Sequence, residues 1–327
     1  TGGLDARDKG LSGRSDIGRL RVYCSEEAHS SVEKAAIVIG VGREGVRRIE
    51  TDEHFRMRVD RLTEAVDQDR QEGWLPFCVV ATLGTTSSTS VDPLPVIADL
   101  CEKEGLWLHV DAAYGGAAAL SPKRRSHHEG WARADSIVVN PHKWMFTPLD
   151  ASLLLFRKPE VFREAFSVVP EYLKTRDVGD AHDFHEYGIQ LGRRFRALKL
   201  WIMLRYFGAE GFARRIESHC RMAEDMAARI DGASAWERLA PVPFSTVCFR
   251  HDPGGLSEDA LESHNQAILD NVNRSGEIFL SHTKLDGRFT IRVTFGNPRA
   301  TTEHLDRCWE LLQEAAEAFE RPDFRFK

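Results

Sequence analysis

Three things are scarce in this 327-residue chain, and each scarcity excludes something. No apolar stretch approaches the roughly 20 residues that a bilayer-crossing helix needs, so a membrane-spanning role is not expected. Long runs of Lys and Arg are missing too. With 44 basic residues against 50 acidic ones, the formal net charge is −6, and no stripe fit for nucleic acid is visible. Cysteine is sparse: Cys24, Cys78, Cys101, Cys220, Cys248 and Cys308 are scattered, form no CxxC pair and mostly lie in apolar runs. They read as reduced core residues of a cytosolic protein rather than a disulfide framework. No signal-peptide pattern is seen at the N-terminus. The expectation is a cytoplasmic protein that handles a small molecule, with neither nucleic acid nor membrane as partner.

The length is enough for two domains with sizeable cores. Over residues 1–200, strand-like runs alternate with helical ones, as after Asp92. There Val96, Ile97, Leu100 and Cys101 recur at helical spacing, and Gly105 ends the helix before the next apolar run. Such alternation predicts an α/β fold with a largely parallel sheet. Residues 201–240 read as a helical connector, part of a run from about Leu198 to Ile230. Residues 241–327 read as a smaller C-terminal α/β domain, with strands at Thr246–Phe249 and Thr290–Phe295 and helices over 258–275 and 302–319.

Within the first domain, three apolar runs each end in a polar residue. Phe77–Ala81 leads to Thr82, Leu106–Val110 to Asp111, and Ser136–Val139 to Asn140-Pro141-His142-Lys143-Trp144. In a parallel α/β sheet the active site is built outside the carboxyl ends of the strands. A lysine amine there can attach an aldehyde cofactor, and a carboxylate can keep a pyridine ring protonated so that it accepts an electron pair. Lys143 and Asp111 fit those two tasks, and the small Ala113 leaves room for a ring to lie close to the backbone. Taken singly, Asp111 reads as a cap and Lys143 as a surface lysine. On successive strand ends they read as a pyridoxal phosphate site.

Six motifs in order then carry a resemblance: Ala28-His29-Ser30-Ser31-Val32-Glu33, Ala81-Thr82-Leu83-Gly84-Thr85-Thr86, His109-Val110-Asp111-Ala112-Ala113-Tyr114, Asn140–Trp144, Pro170-Glu171-Tyr172-Leu173 and Leu191-Gly192-Arg193-Arg194-Phe195-Arg196. Together they resemble the group II pyridoxal-phosphate-dependent decarboxylases, in particular the aromatic-L-amino-acid decarboxylase family. The resemblance implies the fold type I architecture of the pyridoxal-phosphate-dependent transferases and a homodimer. It implies that Lys143 carries the cofactor and Asp111 pairs with its pyridine nitrogen. His29 would stack on the ring opposite Ala113, and Thr82, Asn140 and His142 would contact the cofactor. Tyr172, on a loop mobile in the family, would protonate Cα after carbon dioxide leaves, and 175–187 would act as a lid. Relatives that make aldehydes tend to replace that tyrosine with Phe or that histidine with Asn. Tyr172 and His29 therefore predict an amine product from tyrosine, phenylalanine, tryptophan or a hydroxylated form. A non-aromatic substrate such as glutamate, histidine or diaminobutyrate is the alternative, as is a catalytically silent fragment. Relatives begin with a helical segment and a Gly-Ser-rich phosphate loop; Thr1-Gly2-Gly3 reads as a remnant of that loop, which the following Leu4-Asp5-Ala6-Arg7-Asp8 does not continue, so the chain is expected to start partway into the large domain.

Other motifs compete for attention. Gly40-Val41-Gly42-Arg43-Glu44-Gly45 is a literal dinucleotide fingerprint with Asp60 at a ribose-compatible distance. Its context is wrong, because Val32, Ala35, Ala36 and Ile39 before it have helical spacing, opened by a capping box of Ser30 and Glu33. The glycines are expected to end that helix. His127-His128 and His182-Asp183-Phe184-His185 lack a third ligand and read as solvated loop histidines, so no metal is expected. Arg292 is balanced between gripping a substrate carboxylate and lying on a sheet surface.

Overall fold

The computed structural model describes residues 4–168 and 184–320. A short helix α1 (Ala6–Lys9) precedes β1 (Arg19–Ser25), α2 (Ser31–Val38), β2 (Val46–Ile49), α3 (Val59–Gln71) and β3 (Trp74–Thr82). Next come α4 (Leu94–Glu104), β4 (Trp107–Asp111), β5 (Ser136–Val139), β6 (Leu153–Phe156) and α5 (Pro159–Phe166). These strands form one sheet in the order β2-β1-β3-β4-β5-β6. All neighbours pair parallel except β6, which runs antiparallel to β5. The second half of β3, Cys78–Thr82, is buried without interruption, as a central parallel strand covered on both faces must be. On α4 Ile97, Leu100 and Cys101 are buried as the sequence spacing predicted, joined by Leu94 and Ala98, whereas Val96, read as part of the same stripe, is exposed.

Beyond α6 (Arg196–Gly232) lie β7 (Trp236–Arg238), β8 (Thr246–His251), α7 (Glu258–Arg274), β9 (Ser281–Leu285), β10 (Arg288–Thr294) and α8 (Thr302–Glu320). Here the sheet is antiparallel in the order β7-β8-β10-β9. Strand β7 falls inside the stretch read as connector; three residues are too short to show a period of two. Helix α6 breaks at Gly208 (φ 63°, ψ 171°). Its Phe212, Ile216 and Cys220 pack into the core of the first sheet, whereas Met222, Met226 and Ile230 pack into that of the second. One helix therefore fixes both lobes.

Two expectations about α2 part ways. Gly40 and Gly42, at φ 79° and 77°, turn the chain after the helix as expected, and the order helix–turn–β2 is the reverse of a dinucleotide site. The capping box is not made: Ser30 gives no side-chain cap, and Glu33 bonds Arg48 at 2.9 Å instead. A charge-assisted bond to a guanidinium outcompetes one to a single backbone N–H.

Candidate functional site

The polar strand ends are neighbours in space. Thr82 and Asp111 are register partners, as are Asp111 and Val138. Past the strands the backbone stays tied together. Leu83 N–H donates to the Asp111 carbonyl at 2.8 Å, Ala112 N–H to Val138 at 3.0 Å, and Asn140 N–H to Ala113 at 3.1 Å. Lys143 N–H donates in turn to Asn140 at 2.9 Å. Close approach is built in at Gly115, where a Cβ would fall 2.4 Å from the Leu83 carbonyl oxygen. Thr82, Asp111, Ala113, Asn140, His142 and Lys143 thus gather along one edge of the sheet. His29 lies just past the end of β1, the strand beside β3. Tyr172 lies outside the described residues, as do His182 and much of 175–187.

Each side chain has a local reason for its placement. His29 is exposed; its Nδ1 accepts Ser31 N–H at 3.1 Å and lies 2.9 Å from Ser31 Oγ, which fixes the ring. Asp111 Oδ1 accepts Ala113 N–H at 3.0 Å, so the turn orients the carboxylate. Asn140 Oδ1 accepts from Ser152 Oγ at 2.8 Å. His142 Nδ1 is held against the backbone of Ala151, 2.5 Å from its oxygen. Lys143 is exposed and its side-chain amine, among the described residues, takes no hydrogen bond or ion pair, while the next residue, Trp144, is fully buried. Thr82 Oγ1 is buried without a partner among the described residues.

The sequence reading missed Asp92. Its Oδ2 accepts Thr82 N–H and its Oδ1 accepts Met57 N–H, both at 2.7 Å, while its own N–H returns to the Thr82 carbonyl at 2.9 Å. Burial pushes its carboxyl up to about 6, against the pull of the two N–H donors. A lone Asp before Pro93 carries no distinguishing sequence signal. Arg292 neither lies idle nor faces open space: its Nε donates to the Ser87 carbonyl at 2.8 Å, which ties β10 to the loop after β3. His128 corrects the expectation of a solvated histidine. It is buried, with Nε2 3.0 Å from the Gly115 carbonyl oxygen and Nδ1 3.2 Å from that of Arg124. No group of three metal-ligating side chains occurs among the described residues.

A pyridine-aldehyde cofactor asks for an amine to attach to, a carboxylate for the ring nitrogen and polar groups at the ring's edge. Lys143 supplies an unengaged amine and Asp111 an oriented carboxylate. The orphaned Thr82 hydroxyl supplies a buried polar atom that the protein alone leaves unsatisfied. The residues fit the group.

The comparisons agree with this geometry. The family described as the pyridoxal-dependent decarboxylase conserved domain matches residues 3–252, and the chain belongs to it. Tyrosine decarboxylase 4 of Petroselinum crispum is 40% identical over 323 residues, 96% of this chain and 64% of its own length. Phenylacetaldehyde synthase of Arabidopsis thaliana is 38% identical over 319 residues, again 96% of this chain and 65% of its own. A crystal structure of Oryza sativa TDC with PLP and tryptamine superposes with a TM-score of 0.91 at 33% identity, covering 97% of this chain and 66% of that one. The chain thus spans a little under two thirds of the length of the curated relatives it matches.

Proposed function

We propose that this protein is a pyridoxal-phosphate-dependent decarboxylase that converts an aromatic L-amino acid (tyrosine, phenylalanine, tryptophan or a hydroxylated form) to the amine and carbon dioxide. The observation that carries the reading is the gathering of Thr82, Asp111 and Lys143 at neighbouring strand ends. Lys143 and Asp111 would hold the cofactor at its two functional ends, and Thr82, Asn140, His142 and His29 would flank it. When bound, the cofactor supplies a sink for the electron pair released as a bond to the amino acid's Cα breaks. The carboxylate of Asp111 keeps a positive charge at the ring nitrogen favourable. His29, with Nδ1 occupied by Ser31, presents Nε2, which has no partner among the described residues. Relatives named for tyrosine and for tryptamine complexes support the aromatic class.

The direct test is a panel of amino acids with pyridoxal phosphate added, read by mass spectrometry. Arylalkylamine from an aromatic substrate is expected; turnover of acidic or basic amino acids alone would overturn the aromatic assignment. A second reading, oxidative formation of an aldehyde, draws on the relative named phenylacetaldehyde synthase. His29 and Tyr172 favour the amine. Tyr172→Phe is expected to shift product toward aldehyde, ammonia and peroxide. An unchanged amine yield at the parental rate would remove Tyr172 from proton transfer.

A homodimer is part of the proposal. Leu154 and Leu155 on β6 are about half exposed, and Phe195, Trp201 and Tyr206 at the start of α6 are more than half exposed. Apolar surface of this extent usually awaits a partner, and we assign it to a second copy. Light scattering that gives a monomer mass at micromolar concentration would refute that assignment. We also place the protein in the cytoplasm, supported by six cysteines that are all buried and unpaired. Localisation of a tagged protein outside the cytoplasm would overturn this.

A further inference from the structure

Trp144 follows Lys143 and is held from three sides. Its indole N–H donates to His219 Nδ1 at 3.0 Å, and His219 Nε2 lies 2.9 Å from the Asn297 carbonyl oxygen. An indole N–H can only donate and a carbonyl can only accept. One form of the imidazole satisfies both: neutral, with its proton on Nε2. Burial favours that same form, since it holds the His219 pKa below the ordinary histidine value. Arg215, one turn earlier on α6, adds its charge in the same direction; Phe146, edge-on at 5.8 Å, brings none.

A face of Trp144 stacks on Tyr114, with centroids 4.7 Å apart and planes within 2°. The Tyr114 hydroxyl bonds Ser245 Oγ at the entrance to β8, and Phe244 meets Trp144 edge-on at 6.0 Å. Asn297, Ser245 and Phe244 all flank strands of the C-terminal sheet. His219 sits on α6 near the crossing from one core to the other.

We propose that His219 is a positioning residue for Lys143, acting through Trp144 and fastening the lysine's loop to the C-terminal lobe. The proposal rests on the decarboxylase reading only for the use made of Lys143. The linkage itself stands on the contacts. His219 is assigned no contact with substrate or cofactor. It fixes the direction in which the backbone carries Lys143 past the strand end, and misplacement there costs disproportionately in rate and binding.

Two substitutions split the link. In His219→Asn the amide oxygen takes the place of Nδ1 and still accepts from Trp144, while the bond to Asn297 is lost. In His219→Gln the amide nitrogen reaches the place of Nε2 and still donates to Asn297, while Trp144 loses its acceptor. Each removes one buried bond, so thermal melts of the two should fall by similar amounts. Three readouts then separate positioning from stability. The first is the Trp144 indole resonance, assigned with Trp144→Phe. The second is the acetylation rate of Lys143 relative to exposed Lys103 in cofactor-free protein. The third is the dissociation constant for pyridoxal phosphate.

His219→Gln is expected to shift the indole resonance, change the Lys143-to-Lys103 ratio about tenfold and weaken cofactor binding about tenfold. His219→Asn should stay within about twofold of the parent in both quantities. Equal effects of the two variants on these readouts, or no effect of either, would overturn the proposal. The decarboxylase reading fails separately: a parent protein that turns over no amino acid refutes it, yet leaves the indole and acetylation results to decide the role of His219.

Discussion

Two buried polar clusters share the first sheet, and they are finished differently. On α3, Asp69 is fully buried and accepts from Arg21 at 3.1 Å, Arg47 at 2.9 Å and the Tyr23 hydroxyl at 2.9 Å. Both carboxylate oxygens are taken. Burial, and then the bond to Asp69, drives the Tyr23 phenol well above its ordinary value. Arg21 Nε is buried without a partner among the described residues, and its guanidinium carbon lies 3.4 Å from the centre of the Trp74 ring. At the carboxyl edge of the same sheet, among the described residues, Ser25, Thr82 and Thr89 hydroxyls are buried with no partner, and the exposed Lys143 amine has none. The Asp69 cluster has the stronger charges and the deeper burial, yet its carboxylate is saturated by its own neighbours. The two clusters thus differ in how far their oxygens are satisfied: the Asp69 carboxylate is saturated, whereas three hydroxyls at the strand ends still await a partner.

If that contrast is right, the two clusters should break in opposite ways. The largest effect is expected at the open edge. Lys143→Ala should lose the colour that added pyridoxal phosphate gives the parent, with decarboxylation down by about 10³-fold or more. Its thermal melting without cofactor should match the parent's. A variant that stays yellow and active would move the attachment point elsewhere. Asp111→Asn comes next. The amide can still accept Ala113 N–H, so folding should be spared, while kcat falls by about 10²-fold because the ring nitrogen loses its counter-charge. A kcat within a few-fold of the parent would show that Asp111 does not meet the ring.

At the closed cluster, Asp69→Ala should act on stability alone. Removing one member of a buried ion pair leaves uncompensated charge and costs about 3–5 kcal/mol. Denaturant unfolding measures the loss. The dissociation constant for pyridoxal phosphate in the surviving folded fraction should not move; if it weakens in step with stability, the two clusters are coupled and the contrast is false.

How much of this was legible in the sequence follows from the same distinction. The strand ends were readable because parallel strands buried on both faces leave long apolar runs, and the residue that ends each run stands out. Asp111 and Lys143 could be picked from Leu106–Val110 and Ser136–Val139 without any coordinates. The decoy at Gly40–Gly45 was readable for the converse reason, since the periodicity before it was helical. What could not be read were contacts between residues far apart in sequence. Asp92 serves Thr82 and Met57, Arg292 reaches Ser87, and His219 joins Trp144 to Asn297. Glu33 was misread because a local cap was visible and distant Arg48 was not. His128 was misread because polar neighbours in sequence concealed the carbonyls that enclose it.

Asp92 lies between the two kinds of cluster and gives the smallest and most discriminating test. Its carboxylate is buried and fully used, like Asp69, but its partners are backbone N–H groups rather than cations. With no counter-charge, burial dominates and raises its pKa to about 6, from an ordinary value of about 3.9. A carboxyl raised in this way binds its proton more readily folded than unfolded. Its contribution to stability is complete below about pH 4 and is lost as pH rises through about 6. Asp92→Asn does not titrate, so the parent's unfolding free energy minus the variant's should fall across that window. The fall should be on the order of 3 kcal/mol, with no further change above it. Paired urea titrations from about pH 4 to about pH 8 would measure this difference. A constant difference would mean that two short N–H bonds suffice to keep a buried carboxylate ionised. Thr82 would then be held by a permanent charge, and the Asp92 carboxylate would be as saturated on the protein side of the site as the Asp69 carboxylate is in its own cluster.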